Sequence, residues 1–278
     1  MKGKDLTDVQ HHFGFGKNWY DFKNTIDEES INKARENLEK LITKEEIKGK
    51  TFLDIGSGSG IHSLAALLNG AAYVYSIDID DHSVFATEAT IKNFYKGNNY
   101  HVGKRSIFDK GIENLEKFDI VYSWGVLHHT GLMHKAIDIA ADLVASDGKL
   151  ILALYSKTLL CRVWKVEKKY YTMAPEWIKK SMRAIFKFIV RLDLARKGKN
   201  YKEFIFNYKN KRGMSFNHDV HDWLGGYPYE SITEKTLTTL LRDKGFEVMR
   251  LIPYEGKIGF LGTGCFEVTY KLTRNRAH

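Results

Sequence analysis

The sequence predicts an α/β protein: a doubly wound, mostly parallel sheet of seven strands, with an N-terminal helical lid and a mostly helical insertion after strand five. Three observations carry this reading. A short apolar strand, Thr51–Ile55, runs into a glycine-rich turn, Gly56-Ser-Gly-Ser-Gly60, and then an apolar helix, Ile61–Leu68. Strand-like and helix-like runs then alternate with short links as far as Leu154, the pattern of parallel strands joined by crossover helices. Two strand patterns, Phe246–Ile252 and Gly264–Leu272, end the chain with no helix between them, as an antiparallel pair does.

The elements follow in order. Residues 28–44 read as one amphipathic helix, with Ile31, Ala34, Leu38, Leu41 and Ile42 at helical spacing. Strand two is Ala72–Ile77 and ends in Asp78; helix Ser83–Tyr95 and a strand near Tyr100–Val102 come next. Strand four is Phe118–Trp124 and strand five Lys149–Leu154, with a helix at Met133–Val144 between them. After Tyr155–Glu230, a helix begins at Ser231-Ile-Thr-Glu, a start like a capping box, and Gly245 ends it. The chain therefore divides into an N-terminal lid and helix (1–48), a ligand-binding core (49–154), an inserted segment (155–230), and a helix and hairpin that complete the core (231–278).

The chemistry concentrates at the strand ends, where ligands bind in such sheets. Alternate glycines remove Cβ atoms, so backbone N–H groups can approach a ligand, and the following helix aims its N-terminus at the same point. Asp78, about twenty residues after the glycines, is placed to hold two ribose hydroxyls. The spacing G-x-G-x-G differs from the dinucleotide fingerprint, and no Lys-Ser/Thr pair follows, which excludes a Walker loop. Asp54, two residues before the first glycine, suits a cofactor with an amino group and no phosphates.

Composition sets bounds. The 278 residues suffice for a full core, and no apolar run is long enough for a membrane span. The N-terminus lacks the apolar region of a secretion signal, and two distant cysteines give neither a disulfide framework nor a zinc spacing; the expected compartment is cytoplasmic. The net charge of +9 is local. Tyr155–Glu230 holds 17 Lys/Arg against 7 Asp/Glu, so the remainder is near neutral.

Within that basic insertion, Pro175–Ala195 reads as a two-faced helix. Ile178, Met182, Ile185, Phe186, Ile189 and Leu192 make one side, and Lys180, Arg183, Lys187 and Arg191 a stripe on another. The expectation is that the apolar side packs on the domain; the alternatives are peripheral contact with a membrane surface and contact with RNA phosphates. Arg212–Glu230 has little periodicity and is dense in polar, aromatic and glycine residues. It is expected to fold over the strand ends, with His218, Asp222, Trp223 and Tyr227 facing an acceptor; the alternative is a well-packed connecting loop anchored by Trp223 and Tyr227. His218 and His221 match no zinc signature, and no metal is expected. Near the N-terminus, Phe13, Phe15, Asn18 and Trp19 either pack on the domain or form a lid hinged at Gly14 and Gly16, with Asn18 and Trp19 toward the acceptor.

Asp54 through Gly60, Asp78 and the stretch Trp124-Gly-Val-Leu-His-His129 together resemble the class I S-adenosylmethionine (SAM)-dependent methyltransferases, a Rossmann-like family. The likeness is greatest to the bacterial small-molecule group that includes enzymes like those of ubiquinone and menaquinone biosynthesis. The resemblance covers residues 50–155 and implies SAM as cofactor and S-adenosylhomocysteine (SAH) as product. It implies cofactor contacts from Asp54, Gly56, Ser57, Gly58, Gly60, Asp78, Ile79 and Trp124. An adenine contact is implied from Ser106, Ile107 and Asp109, although an acid usually stands where Ser106 is.

Methyl transfer needs a general base only if the acceptor must lose a proton. His128 and His129, just past strand four, are the candidates, with His129 preferred; the alternative is that both hold the loop by hydrogen bonds. The expected function is methyl transfer to oxygen or nitrogen of a small-molecule or lipid-linked metabolite. An RNA methyltransferase that uses the basic insertion is the alternative, and a SAM sensor without turnover the third.

Overall fold

The computed structural model describes residues 13–16, 26–212, 216–254 and 264–273. Among them the strands are β1 (Thr51–Ile55), β2 (Tyr73–Asp78), β3 (Tyr100–Lys104), β4 (Phe118–Trp124), β5 (Val144–Tyr155), β6 (Phe246–Ile252) and β7 (Cys265–Leu272). They form one sheet in the order β3-β2-β1-β4-β5-β7-β6. The first five strands are parallel, and β7 runs antiparallel between β5 and β6. The doubly wound sheet with its closing antiparallel pair is as expected. Its strand order reverses between β1 and β4, so their carboxyl ends flank the crevice where such sheets take ligands.

The helices are α1 (Glu28–Glu39), α2 (Lys44–Ile47), α3 (Ile61–Leu68), α4 (Asp81–Phe94), α5 (Met133–Asp142), α6 (Cys161–Met173), α7 (Glu176–Arg196), α8 (Tyr201–Arg212), α9 (Phe216–Leu224) and α10 (Glu234–Arg242). Alternate residues of each strand point to opposite faces, which builds two cores. Phe52, Val74, Ile120 and Ile151 pack under α1 and α3 with Leu38, Leu41 and Leu64. Leu53, Val121, Leu150 and Leu152 pack under α5 and α10 with Ile137, Leu237 and Leu241. The single helix expected over 28–44 is two. Asp27 caps the first through the Ser30 N–H, and a capping box of Thr43 and Glu46 starts the second, while Leu41 and Ile42 stay buried between them.

Among the described residues the insertion holds α6 to α9, and it has a small core of its own. Phe13, Tyr171, Phe216, Val220 and Leu224 are buried there, with Phe186 and Trp223 against them. Two expectations need correction. The stretch 212–230 is not aperiodic, because Phe216, Val220 and Leu224 recur every fourth residue and bury one side of α9. The apolar side of α7 does not pack on the domain as a whole. Met182, Phe186 and Val190 turn inward, whereas Ile185, Ile189 and Leu192 are exposed, and Leu194 is the one buried residue of the helix. Arg183 leaves the predicted basic stripe and turns in, donating to the Tyr171 hydroxyl at 2.9 Å and to Glu176 at 2.6 Å.

Candidate active site

The turn after β1 is made by its glycines. Gly56, Gly58 and Gly60 have φ of 79°, 56° and 77°, a left-handed conformation that disfavours any side chain. Space enforces the same choice: a Cβ on Gly56 would lie 2.5 Å from the Val126 side chain, and one on Gly60 would lie 2.6 Å from Thr87 Cα. The Ser57 hydroxyl lies 2.9 Å from that of Thr87 and so ties the loop to α4.

Two carboxylates flank this loop. Asp54 is buried at the end of β1 and accepts from the Ser63 hydroxyl at 2.5 Å, and Ser63 accepts from Ser76 at 2.8 Å. Burial pushes Asp54 up to about 7; the Ser63 bond opposes this, and the nearby Asp78 charge adds to it. Asp78, at the end of β2, accepts from the Gly58 and Asp80 N–H groups at 3.0 Å each. Part of its surface meets solvent, yet burial of the carboxyl raises it to about 6, against the Asp80 and Gly58 N–H bonds, which lower it. Two acids that protein surroundings hold near neutrality form a receptor for a cation and for hydroxyl donors. The same enclosed acids and the glycine cradle fit the amino group and ribose of SAM.

The remaining predicted contacts fall around this pair with different exposure. Ile79 follows Asp78 and is half-buried. In the loop after β3, the Ser106 N–H donates to Asp109 at 2.8 Å and the Ser106 hydroxyl accepts from Phe108 at 3.2 Å. The Ile107 side chain lies in the main core, which leaves its backbone for any ligand contact. Trp124 is exposed at the end of β4, edge-on to His62 at 6.0 Å.

His128 and His129 sit in a short turn of 3-10 helix after β4, and both are buried. Their surroundings differentiate them. His128 Nδ1 accepts the Tyr155 N–H at 3.3 Å, and burial, with His129 and Lys168 adding, holds this ring well below the ordinary imidazole range. His129 Nδ1 lies 2.8 Å from the Pro228 carbonyl. A carbonyl only accepts, so Nδ1 carries the proton and the neutral ring keeps its lone pair on Nε2. Phe15 packs over His129 at 5.1 Å, and Phe13 donates its N–H to the Tyr227 carbonyl at 2.9 Å. Gly16 lies against Asp80, and Gly225 against the Phe13 ring. The segment 13–16 thus bridges the end of β2, the histidine turn and the insertion. Asn18 and Trp19 lie outside the described residues.

Of the predicted acceptor residues, Trp223 packs on Trp164 at 5.0 Å and Phe186 at 4.9 Å, inside the insertion. Tyr227 contributes its carbonyl to Phe13, Asp222 is partly buried next to Trp223, and His218 is on α9. His221 turns away from the histidine turn to the Tyr171 hydroxyl, 2.6 Å distant. Among the described residues, no group of His, Cys, Asp and Glu is arranged to hold a metal ion.

Four residues of this region escape a reading of the sequence. Lys168 is fully buried; its ammonium donates to the Trp223 carbonyl and lies over the rings of Trp223, Tyr229 and Tyr155 at 4.8, 5.6 and 6.0 Å. Burial lowers its affinity for a proton and raises that of the adjacent Glu167, whose two carboxylate oxygens are buried with no hydrogen-bond partner among the described residues. The Tyr155 ring packs against His128 at 3.9 Å, tilted by 41°. His62, two residues past the last glycine of the loop, lies 3.0 Å from the Tyr122 hydroxyl, and burial drives it down to about 4. Only His62 had a signal, its place directly after the glycines.

Comparison with known proteins gives a consistent result. The profile of the methyltransferase domain family matches residues 46–220. A tRNA U34 carboxymethyltransferase of Pseudoalteromonas translucida (strain TAC 125) is 37% identical over 111 residues, 39% of this chain and 33% of that protein. A ribosomal protein L11 methyltransferase of Psychrobacter arcticus is 50% identical over 46 residues, 16% of this chain and 15% of that protein. The chain thus spans a third or less of the length of these two relatives. Among solved structures, the magnesium protoporphyrin IX methyltransferase of Synechocystis PCC 6803 with bound SAH shares the fold. Its TM-score is 0.53 and its identity 17%, over 88% of this chain and 84% of that one.

Proposed function

This chain belongs to the methyltransferase domain family, and on that premise we propose that it transfers a methyl group from SAM to an oxygen or nitrogen of a small-molecule or lipid-linked acceptor. The observation that carries the reading is the pair of enclosed carboxylates, Asp54 and Asp78, on either side of a loop of left-handed glycines. Asp78 takes the ribose hydroxyls, and Asp54 lies beneath the amino-acid tail. Bound there, SAM supplies a methyl already activated on a sulfonium.

The protein's part is then to position, to exclude water and to take a proton. Phe15 and the 225–230 segment enclose the histidine turn. His129 receives the acceptor's proton on Nε2 as the acceptor bonds to the methyl, and its Nδ1–H···O=C bond to Pro228 steadies the imidazolium that results. His128, whose Nδ1 is occupied by the Tyr155 N–H, orients the turn. Lys168 and the aromatic rings around it pack behind Tyr155 and His128 and support the insertion side of the acceptor space.

Methyl-labelled SAM, incubated with the protein and with organic and aqueous fractions of a cell extract, tests this. Label in a low-molecular-weight product, lost in Asp78→Ala and His129→Asn, supports the reading; label in none of the fractions sinks it. RNA is the second reading, favoured by the basic insertion and by the tRNA-modifying relative. Label in the RNA fraction, with binding that falls steeply with salt, would install it instead.

A further inference from the structure

The outer face of α7 is apolar and exposed. Trp177, Ile185, Phe188 and Leu192 are 70%, 60%, 58% and 53% exposed, and their spacing puts them along one side of a 21-residue helix. Val166 and Tyr170 of the preceding helix α6 are exposed as well. Single exposed apolar residues are ordinary, but a row of large ones over about four turns is a surface that something covers.

The charges around the row say what covers it. Lys180, Lys187 and Arg191 run along one margin of the face, at positions 180, 187 and 191, next to the apolar row at 177, 185, 188 and 192. Between Glu176 and Arg196 the helix holds six Lys/Arg and two acids. The two acids are already engaged: Glu176 with Arg183, and Asp193 with Arg196 and Lys197. An apolar row with a cationic margin is complementary to an anionic bilayer, whose headgroups meet the cations while the rings and aliphatic chains enter the acyl boundary. RNA would require the cations at the centre of the face, where Ile185 and Phe188 stand. A second copy would set this face against an equally cationic one whose two acids, Glu176 and Asp193, are already paired.

We propose that the outer face of α7, with the exposed side of α6, docks this protein on an anionic lipid surface. The proposal goes beyond the methyl transfer argued above and stands without it. No helix among the described residues is long and apolar enough to cross a membrane, so the attachment is peripheral. The inner sides of the same helices carry Phe186 and Tyr171, packed in the core of the insertion, and Lys168, whose ammonium lies over Tyr155, the ring that packs against His128. Docking on this face therefore brings the insertion side of the site close to the bilayer.

The test is flotation with vesicles of equal parts phosphatidylcholine and phosphatidylglycerol, against vesicles of phosphatidylcholine alone. Wild-type protein is expected to float with the anionic vesicles and more weakly with the neutral ones. The double variant Trp177→Ser, Phe188→Ser should lose about tenfold or more of its partition, from two large apolar side chains removed. The double variant Lys180→Glu, Arg191→Glu should erase the preference for anionic lipid. Both pairs of changes are on the surface, so circular dichroism and SAH affinity should match wild type in each. Wild-type protein that stays with the aqueous phase overturns the proposal, as does a Trp177/Phe188 variant that floats as well as wild type. A wild-type dimer by light scattering that becomes monomeric in that variant, or RNA binding lost with it, assigns the face to another occupant and also overturns it.

Discussion

Cofactor affinity should rise steeply with pH through neutrality. In the ligand-free protein Asp54 titrates at about 7 and Asp78 at about 6, in both cases chiefly because burial disfavours the charged form. A bound cationic amino group and ribose hydroxyls call for the ionised carboxylates. At pH 5.5 only about 3% of Asp54 is ionised and at pH 8 about 90%, so Asp54 alone implies roughly 30-fold tighter SAH binding at the higher pH, about 2 kcal/mol. Asp78, part of which meets solvent, adds at most about fourfold over the same window. The linked stability runs the other way. Both carboxyls bind protons more tightly folded than unfolded, so their stabilising effect is complete below about pH 4 and is lost as pH rises through about 6 and 7. Saturating SAH should restore that loss. Calorimetric titration at pH 5.5 and pH 8, in two buffers of different ionisation heat, reads both the affinity and the protons released. An affinity that is flat with pH, with no proton release, would refute the assignment of these carboxylates to the cofactor.

Three further outcomes follow from the same geometry. His129→Asn keeps a donor for the Pro228 carbonyl and loses Nε2, so turnover should fall by about 100-fold or more while SAH affinity holds; equal losses of both would make the residue structural. Phe13→Ala and Gly225→Ala should behave alike, because a Cβ on Gly225 would lie 2.3 Å from the Phe13 ring and expel it; each should destabilise by about 3 kcal/mol, and thermal unfolding of the double variant should show little beyond either single change. Replacing the buried pair together, Glu167→Gln with Lys168→Met, should leave the unfolding midpoint unchanged or higher while turnover drops; a midpoint that falls sharply would mean that the pair supports the fold.

The sheet and its glycine turn were legible because their signals are local. Apolar strands, alternating glycines and Asp78 at the end of β2 each announce themselves within a few residues. The insertion was harder for two physical reasons. Phe216, Val220 and Leu224 do recur with helical spacing, but His218, Asp219, His221 and Asp222 between them mask the pattern. For α7, periodicity identifies an apolar side without saying which way it faces. That depends on the neighbouring helices, which take Phe186 and Arg183 inward and leave Ile185 and Leu192 outside. Lys168 is one lysine among many in a basic segment. Its burial among Tyr155, Trp223 and Tyr229 is a tertiary fact, brought about by residues 13 to 61 positions away in the chain.

The most direct measurement is a calorimetric titration of wild-type protein and of Asp78→Ala with SAH at pH 8. The account predicts micromolar or tighter binding to wild type that collapses in the variant, since the change removes both the ribose partner and the acceptor that holds the Gly58 and Asp80 N–H groups. Binding of equal strength in the two proteins would contradict it, and so would a wild-type protein that ignores SAH and takes NAD.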